Sequence, residues 1–325
     1  MSEVLSRDPV VLLAQAKEGS RVALARLLTM VERGGAESRA VAALSYTEAP
    51  PYTVGLTGAP GAGKSTLTDR VITAARTGWP AIGEQAAVAL EQVAVLAIDP
   101  SSPFTGGAIL GDRIRMQEHA TDPTVFIRSM ATRGHLGGLS LAVPDAVRLL
   151  GASGMPVVLV ETVGVGQMEV EIASAADTTV VVVNPGWGDA MQANKAGLLE
   201  IADIFVINKA DRPGVREARR DLEQMLDLSQ LGDWRPPVVE TVAADGTGVT
   251  ELWETVAAHR AHLLDHDELV PRRQRRLAEE LRRVLSAQLA LQVEQLAEGE
   301  LFEAQVAALV AGTTDPYSSA ERLLS

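Results

Sequence analysis

A glycine-rich run followed by a lysine and a serine is the part of this sequence that points most directly to chemistry. Residues 58–65 read G-A-P-G-A-G-K-S, which matches the G-x-x-x-x-G-K-S/T pattern of phosphate-binding loops. Glycines let successive backbone N–H groups turn toward a β-phosphate, and the helix that follows adds the positive end of its dipole. Lys64 would bridge β- and γ-phosphate oxygens, and Ser65 would ligate Mg2+. The predicted nucleotide contacts in this loop are Gly58, Ala59, Pro60, Gly61, Ala62, Gly63, Lys64, Ser65 and Thr66.

A second polar segment, 208–211, follows a predicted strand and reads N-K-A-D. Asp211 can accept two hydrogen bonds from N1–H and the exocyclic amine of guanine, and adenine offers no such donor pair. The stem of Lys209 can pack along a purine ring, and Asn208 can tie the segment to the phosphate loop. The segment therefore predicts guanine recognition. From its position after the last predicted strand, we also predict that a backbone N–H in the run Val242, Ala243 and Ala244 reaches the guanine carbonyl oxygen.

Acidic residues after two further apolar runs predict a magnesium shell. Glu161 ends one run and is followed by Gly164, whose N–H would lie near a γ-phosphate. Glutamate stands where aspartate is more usual, and two roles remain open for it: contact through a metal-bound water, or holding the attacking water. Asp99 ends another run, with Asp112 beyond it, and both could alternatively cap helices. Because Val165 stands where a glutamine often follows that glycine, we expect slow intrinsic hydrolysis.

Two other clusters of polar residues each allow two interpretations. His259, His262 and His266 share one face of a predicted helix, and could form a metal-binding face or a packed or solvated face. The packed or solvated face is preferred because no supporting ligand accompanies the histidines. The basic run 272–276 could grip an acidic partner, but a charged helix start is the commoner arrangement.

The elements that must position these residues follow from the apolar patterning. From residue 51 to 265, seven runs rich in Val, Ile and Leu alternate with helical stretches, as expected for strands buried on both faces of a parallel sheet. The prediction is an α/β P-loop NTPase domain with a mainly parallel, doubly wound sheet. Residues 1–50 are predicted to be an N-terminal helical segment, and residues 266–325 a C-terminal helical arm.

Bulk composition limits the partners. The chain has 325 residues, a formal net charge of −13 and no cysteine. Net negative charge disfavours nucleic acid and anionic membrane surfaces as partners, so any phosphate must be bound locally. With no basic, apolar leader and no apolar run of about 18 residues, we expect no signal peptide and no membrane span. We interpret the chain as soluble and cytoplasmic.

Several stretches together resemble the MeaB/ArgK family of P-loop GTPases, relatives of the human methylmalonic aciduria type A protein. The resemblance extends from the helical run at 21–34 almost to the C-terminus. The most specific runs are E-T-V-G-V-G-Q, and D-P-S-S followed by G-G-A-I-L-G-D-R. The matching runs lie at 58–66, 96–116, 129–138, 161–177 and 186–211.

The resemblance implies a GTPase that binds an adenosylcobalamin-dependent methylmalonyl-CoA mutase or a related acyl-CoA mutase. It also implies gating of cofactor loading, protection or reactivation of the mutase, and homodimers formed through the C-terminal arm. It makes the run E-T-V-G-V-G-Q at 161–167 the second switch and 185–195 a third switch, in which Asp189 and Lys195 serve partner-stimulated hydrolysis. Met168 and the run from Thr241 depart from the family pattern. The residues implied for the phosphate and Mg2+ site are Lys64, Ser65, Asp99, Asp112 and Glu161.

Two alternatives belong to other functional classes. An ATP-dependent kinase could carry the same P-loop, but the 208–211 segment argues against adenine, and no phosphoacceptor base is evident. A metal-delivery GTPase of the nickel-insertion type would share the core. That alternative lacks its usual ligands because the chain contains no cysteine.

Overall fold

The computed structural model describes most of the chain. The described residues are 7–83, 86–100, 119, 121–132, 138–162, 175–186, 200–229 and 232–324. Within these ranges, the side chains of residues 99–100, 131–132 and 138–141 are excluded from the description.

The described residues form seven strands and ten helices, which we number separately in chain order. The strands are β1 (Tyr52–Gly58), β2 (Val93–Pro100), β3 (Val125–Thr132), β4 (Val157–Thr162), β5 (Thr178–Val183), β6 (Ile204–Asn208) and β7 (Val238–Thr241). The helices are α1 (Pro9–Lys17), α2 (Arg21–Arg33), α3 (Gly35–Ser45), α4 (Lys64–Ala75), α5 (Gly138–Ala152), α6 (Val215–Leu228), α7 (Val249–Asp265), α8 (Leu269–Leu296), α9 (Glu300–Val310) and α10 (Pro316–Leu324).

All seven strands join one sheet in the order β3-β2-β4-β1-β5-β6-β7, and every paired neighbour is parallel. Each of the seven apolar runs supplies one strand. Alternate residues serve opposite faces, as the pleat requires. In β4, Val157 and Leu159 pack with α4 and α7, whereas Val158 and Val160 pack with α1, α2 and α5. The predicted parallel α/β fold is confirmed.

The three N-terminal helices share a core with the sheet. Leu24, Leu27 and Leu28 of α2 are buried in the same apolar cluster as residues of β2 and β4. The guanidinium of Arg21 donates to the backbone oxygens of Asp122 and Val125 at 2.8 and 2.7 Å, which fastens α2 to the start of β3. The boundary predicted near residue 50 therefore separates segments that fold against one another.

The C-terminal helices bury much less. None of the residues of α8 is buried, and Leu281, Leu285, Leu289 and Val293, spaced four residues apart, are between 51% and 68% exposed. This spacing places the four side chains along one face of the helix. No helix in the described ranges is both long enough and apolar enough to cross a membrane.

The first turns of α8 are anchored to the sheet by ion pairs. Arg272 donates to both carboxylate oxygens of Asp203 at 2.9 and 2.6 Å, and Arg273 does the same to Asp177 at 3.0 and 2.6 Å. Arg276 also pairs with Asp177. The two aspartates directly precede β6 and β5. The preferred interpretation of 272–276 as a charged helix start was therefore incomplete, because these arginines hold acidic partners within the chain.

Asp177 is fully buried, and its carboxylate also accepts from the backbone N–H of Thr53 at 3.0 Å. Burial by itself raises the pKa of this carboxyl. The hydrogen bonds from Arg273 and the charges of Arg276 and Arg273 outweigh burial and hold the pKa below its usual value. The ionised form is therefore stabilised by folding.

Replacing Asp177 by asparagine is expected to lower the free energy of unfolding by about 3–5 kcal/mol at pH 7, because it leaves Arg273 and Arg276, whose side chains are only 21% and 18% exposed, without their buried carboxylate partner. A lowered folded-state pKa gives stability that is present above the unfolded-state pKa, near 3.9, and lost as the pH falls through the folded-state pKa. The gap between wild type and variant should therefore be constant from about pH 7 to 5 and narrow below about pH 4. Urea unfolding across this range measures it.

The matched control is Asp227→Asn, which removes an aspartate whose side chain is 66% exposed and paired with Arg235. Exposed pairs contribute about 1 kcal/mol or less, so this variant should unfold close to wild type. Equal stability losses in the two variants would contradict the assignment of Asp177 as a structural anchor.

Candidate nucleotide site

The predicted site segments meet at one edge of the sheet. β1 ends at Gly58, β4 at Thr162, β6 at Asn208 and β7 at Thr241. Parallel neighbouring strands end at the same edge, which is where open α/β sheets bind ligands. We call residues 208–211 the base segment and residues 241–244 the last base loop. The phosphate loop, Glu161 at the end of its strand, the base segment and the last base loop are therefore neighbours in space.

Two glycines of the phosphate loop are required by close contacts from distant parts of the chain. Gly58 has φ +131°, and a Cβ there would lie 2.0 Å from the backbone oxygen of Val182 on β5. Gly63 has φ +92°, and a Cβ there would lie 2.4 Å from Nδ2 of Asn208. Any side chain at either position would displace the strand or the base segment from the loop.

The loop's lysine and the first turn of α4 are buried beside it. Lys64 is 6% exposed, and its Nζ donates to the backbone oxygens of Gly58 and Ala59 at 2.7 and 3.1 Å. The ammonium group thus turns back over the loop that precedes it, as a lysine serving that loop must. Its contact with β- and γ-phosphate oxygens stays a prediction.

Ser65 and Glu161 form a direct contact between α4 and β4. The hydroxyl of Ser65 donates to Oε1 of Glu161 at 2.6 Å, and both side chains are buried. A hydroxyl and a carboxylate brought together by tertiary structure are the hard oxygen donors that Mg2+ prefers, so these residues fit the ion. The contact joins residues 96 positions apart in sequence.

Several predicted site residues lie partly or wholly outside the residues that the structure describes. Asp99 lies at the end of β2, and β2 pairs with β4 through Ala97 opposite Glu161, so its backbone is at the same edge of the sheet. Its side chain is not described. Four predicted residues lie outside the described residues altogether: Asp112, Gly164, Asp189 and Lys195.

Asn208 links three segments of the site. Its side chain is 2% exposed, and Nδ2 donates to the backbone oxygen of Ala62 in the phosphate loop at 2.8 Å. Its Oδ1 accepts from the hydroxyl of Thr241 and from the backbone N–H of Ala243, each at 3.1 Å. The predicted role of Asn208 in tying the base segment to the phosphate loop is thus visible as hydrogen bonds.

Lys209 and Asp211 of the base segment lie on either side of Ala210, just after Asn208. Lys209 has the left-handed value φ +60°, and its Nζ donates to the backbone oxygen of Gly61 at 2.6 Å. Its stem therefore crosses above the phosphate loop, where a purine ring could pack. Asp211 is exposed two residues further on.

The hydrogen bonds of the last loop narrow the choice of backbone donor for guanine. The N–H of Val242 donates to the oxygen of Thr247 at 3.0 Å, and that of Ala243 is used by Asn208. Among the described residues, the N–H of Ala244 has no acceptor, so it is the donor that remains for a base carbonyl.

Sequence reasoning missed Arg70, which lies on α4 beyond the phosphate loop. Its guanidinium approaches the backbone oxygens of Ala243 and Ala244 at 3.4 and 3.5 Å. These contacts attach the last base loop to the phosphate-loop helix. The only sequence signal was its place on that helix, because the partner residues lie more than 170 positions away.

His259 and His262 of α7, and His266 directly after it, lie away from this edge. His259 is 1% exposed, its Nδ1 is 2.8 Å from the hydroxyl of Thr178, and burial lowers its pKa to about 4, against the raising effect of Asp203. The ring of Trp234 packs against His259 and His262. Across the described part of the chain, no three histidine or acidic side chains are grouped to hold a metal ion.

A phosphate loop at the end of β1 and a base segment at the end of β6, on an all-parallel sheet, define the class of P-loop nucleotide-binding proteins. The profile of one family in this class, described as methylmalonyl Co-A mutase-associated GTPase MeaB, matches residues 24–298. The chain belongs to this MeaB family of GTPases, which confirms the predicted family and the predicted GTPase activity.

Individual relatives agree. A putative GTPase of Pyrococcus abyssi is 48% identical over 319 residues, which cover 96% of this chain and 95% of that protein. GTPase ArgK of Escherichia coli is 37% identical over 277 residues, covering 82% and 80%. A crystal structure of a LAO/AO transport system kinase matches with a TM-score of 0.69 and 26% identity, over 99% of this chain and 98% of that one. Membership in a GTPase family implies a bound nucleotide.

Proposed function

We propose that this GTPase binds an adenosylcobalamin-dependent methylmalonyl-CoA mutase, or a related acyl-CoA mutase, and gates the loading of its cofactor. The observation that carries the proposal is membership in a family described as mutase-associated over residues 24–298. In this role GTP hydrolysis signals a conformational state to the mutase, and protects or reactivates it. The family description names a mutase, which favours this role over the kinase and metal-delivery alternatives.

The fold supplies a physical route for such signalling. Segments predicted as the second and third switches follow β4 and β5, and these two strands flank β1, which leads into the phosphate loop. A change at the γ-phosphate therefore acts at the strand ends from which both segments begin. Asp189 and Lys195, in the third of these segments, are the residues that we assign to partner-stimulated hydrolysis.

The nucleotide would be held by the groups described above. Lys64 and the loop N–H groups would hold the phosphates, and Asp211 with the N–H of Ala244 would read guanine. Mg2+ would be held by Ser65 and Glu161, with Asp99 and Asp112 as further members of its shell. When bound, the ion neutralises charge on the β- and γ-phosphates.

A second copy of this chain is proposed to cover the apolar face of α8. The exposed leucines and valine at four-residue spacing form a stripe that other described residues leave uncovered. Two such helices packed together would remove the stripe from water, which favours a homodimer through the C-terminal arm. Sedimentation equilibrium that finds only monomer would contradict this assignment.

The mutase proposal predicts coupling between nucleotide state and mutase binding. The affinity for the mutase should differ about 5- to 150-fold between the GDP-bound protein and the protein bound to a non-hydrolysable GTP analogue, the usual range for such coupling. Calorimetric titration with an adenosylcobalamin-dependent methylmalonyl-CoA mutase measures it. Slow GTP turnover should also rise when the mutase is added, and ATP should not replace GTP.

The control is an unrelated protein of similar acidity, which should change neither quantity. If the mutase bound equally well in both nucleotide states and did not change GTP turnover, it would not be the partner. The assignment as a GTPase would be unaffected.

A further inference from the structure

A cavity away from the nucleotide edge lies where α8 crosses α5. Its volume is about 50 Å³, enough for a few water-sized positions, and it opens to the surface on one side. Pro50 and Pro51, which lead into β1, form one wall. Val147 of α5 and Leu277 of α8 contribute apolar surface to the others.

The charged lining of this cavity is mostly basic. Arg148 comes from α5, and Arg273, Arg276 and Arg283 come from α8, against a single lining carboxylate, Glu280. Such an excess of positive charge is notable in a chain whose formal net charge is −13. The hydroxyl of Tyr46 already donates to Glu280, which occupies part of that carboxylate's hydrogen-bonding capacity.

Two of these arginines retain donors that the described residues do not use. Arg276 gives Nη2 to Asp177, but its Nη1 is buried and has no acceptor among the described residues. Arg148 places its guanidinium over the ring of Tyr46, 4.5 Å from the centroid, and makes no hydrogen bond within the described part of the chain. A buried N–H without an acceptor is unfavourable, so an oxygen ligand in the cavity would stabilise this arrangement.

The arginines beneath the cavity carry more positive charge than Asp177 can neutralise, which also favours an anion there. Asp177 is shared by Arg273 and Arg276, so the second arginine is only partly compensated. Burial lowers the pKa of Arg276, and the neighbouring charges of Arg273 and Arg272 lower it further, against the raising effect of Asp177. An added negative charge would relieve this excess of positive charge.

From these observations we propose that the cavity between α5 and α8 is a binding site for a small oxyanion of the phosphate class, held by Arg148 and Arg276 from opposite walls. Guanidinium groups present paired N–H donors whose geometry matches phosphate oxygens. The cavity, about 50 Å³ in volume, has room for one such group. The open side admits either a free phosphate ion or the phosphate end of a larger molecule. The bound anion joins the GTPase domain to the first turns of the C-terminal arm.

The test uses the full-length protein saturated with Mg2+ and a non-hydrolysable GTP analogue, so that phosphate cannot enter the P-loop. Inorganic phosphate is titrated calorimetrically at constant ionic strength. We expect saturable binding at one site, weakened about 10-fold or more in Arg148→Gln and in Arg276→Gln, since each loses charge-assisted hydrogen bonds. Arg235→Gln, which removes an arginine paired with Glu223 outside the cavity, should bind as wild type does.

Arg148→Gln is the decisive variant, because it leaves the ion pairs of Asp177 intact and should melt close to wild type. Absence of saturable phosphate binding by the wild type, or unchanged affinity in this variant, would overturn the proposal. A parallel titration with glycerol phosphate distinguishes the sources. Binding of both ligands supports the phosphate end of a larger molecule, and binding of inorganic phosphate alone supports a free ion.

Discussion

Replacing Lys64 by alanine is expected to lower kcat/KM for GTP by about 10³-fold or more, the loss typical when a positioned donor to a phosphoryl transition state is removed. Lys64 is buried at the phosphate loop and contacts the loop carbonyls of Gly58 and Ala59. No other described lysine could take its place, because Lys209 is committed to the oxygen of Gly61. Single-turnover hydrolysis of GTP measures the effect.

The control removes a lysine outside the site, because it shows whether the loss of a positive charge anywhere in the protein lowers the rate. Lys17→Ala deletes a half-exposed lysine paired with Glu48 on the N-terminal helices, and it should hydrolyse GTP at the wild-type rate. The affinity of Lys64→Ala for GDP, which lacks a γ-phosphate, should fall less than its affinity for GTP. A variant that keeps its turnover within about 10-fold of wild type would refute the assigned role.

Replacing Asp211 by asparagine is expected to weaken GTP binding by about 10²- to 10³-fold and to improve binding of xanthosine triphosphate. Guanine presents N1–H and an amine to this position, and xanthine presents a carbonyl where guanine has the amine. An asparagine can turn its NH2 toward that carbonyl, whereas with guanine the two donors face each other. Competition binding with a fluorescent nucleotide measures both affinities.

The base segment should keep its conformation in this variant, because Asn208 holds it in place. The hydrogen bonds of Asn208 with Ala62, Thr241 and Ala243 do not involve Asp211. The control is Asp233→Asn, an exposed aspartate in the loop before β7, which should bind GTP normally. If Asp211→Asn retained the wild-type preference for GTP over xanthosine triphosphate, guanine would have to be read elsewhere.

The features that could be predicted from the sequence are those set by residues close together in the chain. The phosphate loop was predictable because its function needs glycines, a lysine and a serine at fixed spacing within eight residues. The strands were predictable because burial on both faces demands near-continuous Val and Ile, as in Thr178–Val183, where every residue is buried. Family membership followed from longer runs of the same kind.

Features that depend on distant partners were not predictable. Arg70 reaches the last base loop 173 residues away. The basic run 272–276 was best explained by sequence as a charged helix start, and the structure gives it Asp177 and Asp203 as partners. No local pattern distinguishes an arginine that will meet a buried aspartate from one that will stay in water.

The sequence alone therefore determined the fold class, the nucleotide loop and the family, because local periodicity and fixed spacing encode them. Tertiary structure alone decided the strand order, in which β4 inserts between β2 and β1. It likewise decided why Gly58 must lack a side chain: the backbone oxygen of Val182 would lie 2.0 Å from its Cβ. Such close approaches arise only when strands far apart in the chain pair side by side, and their energies depend on distance in space.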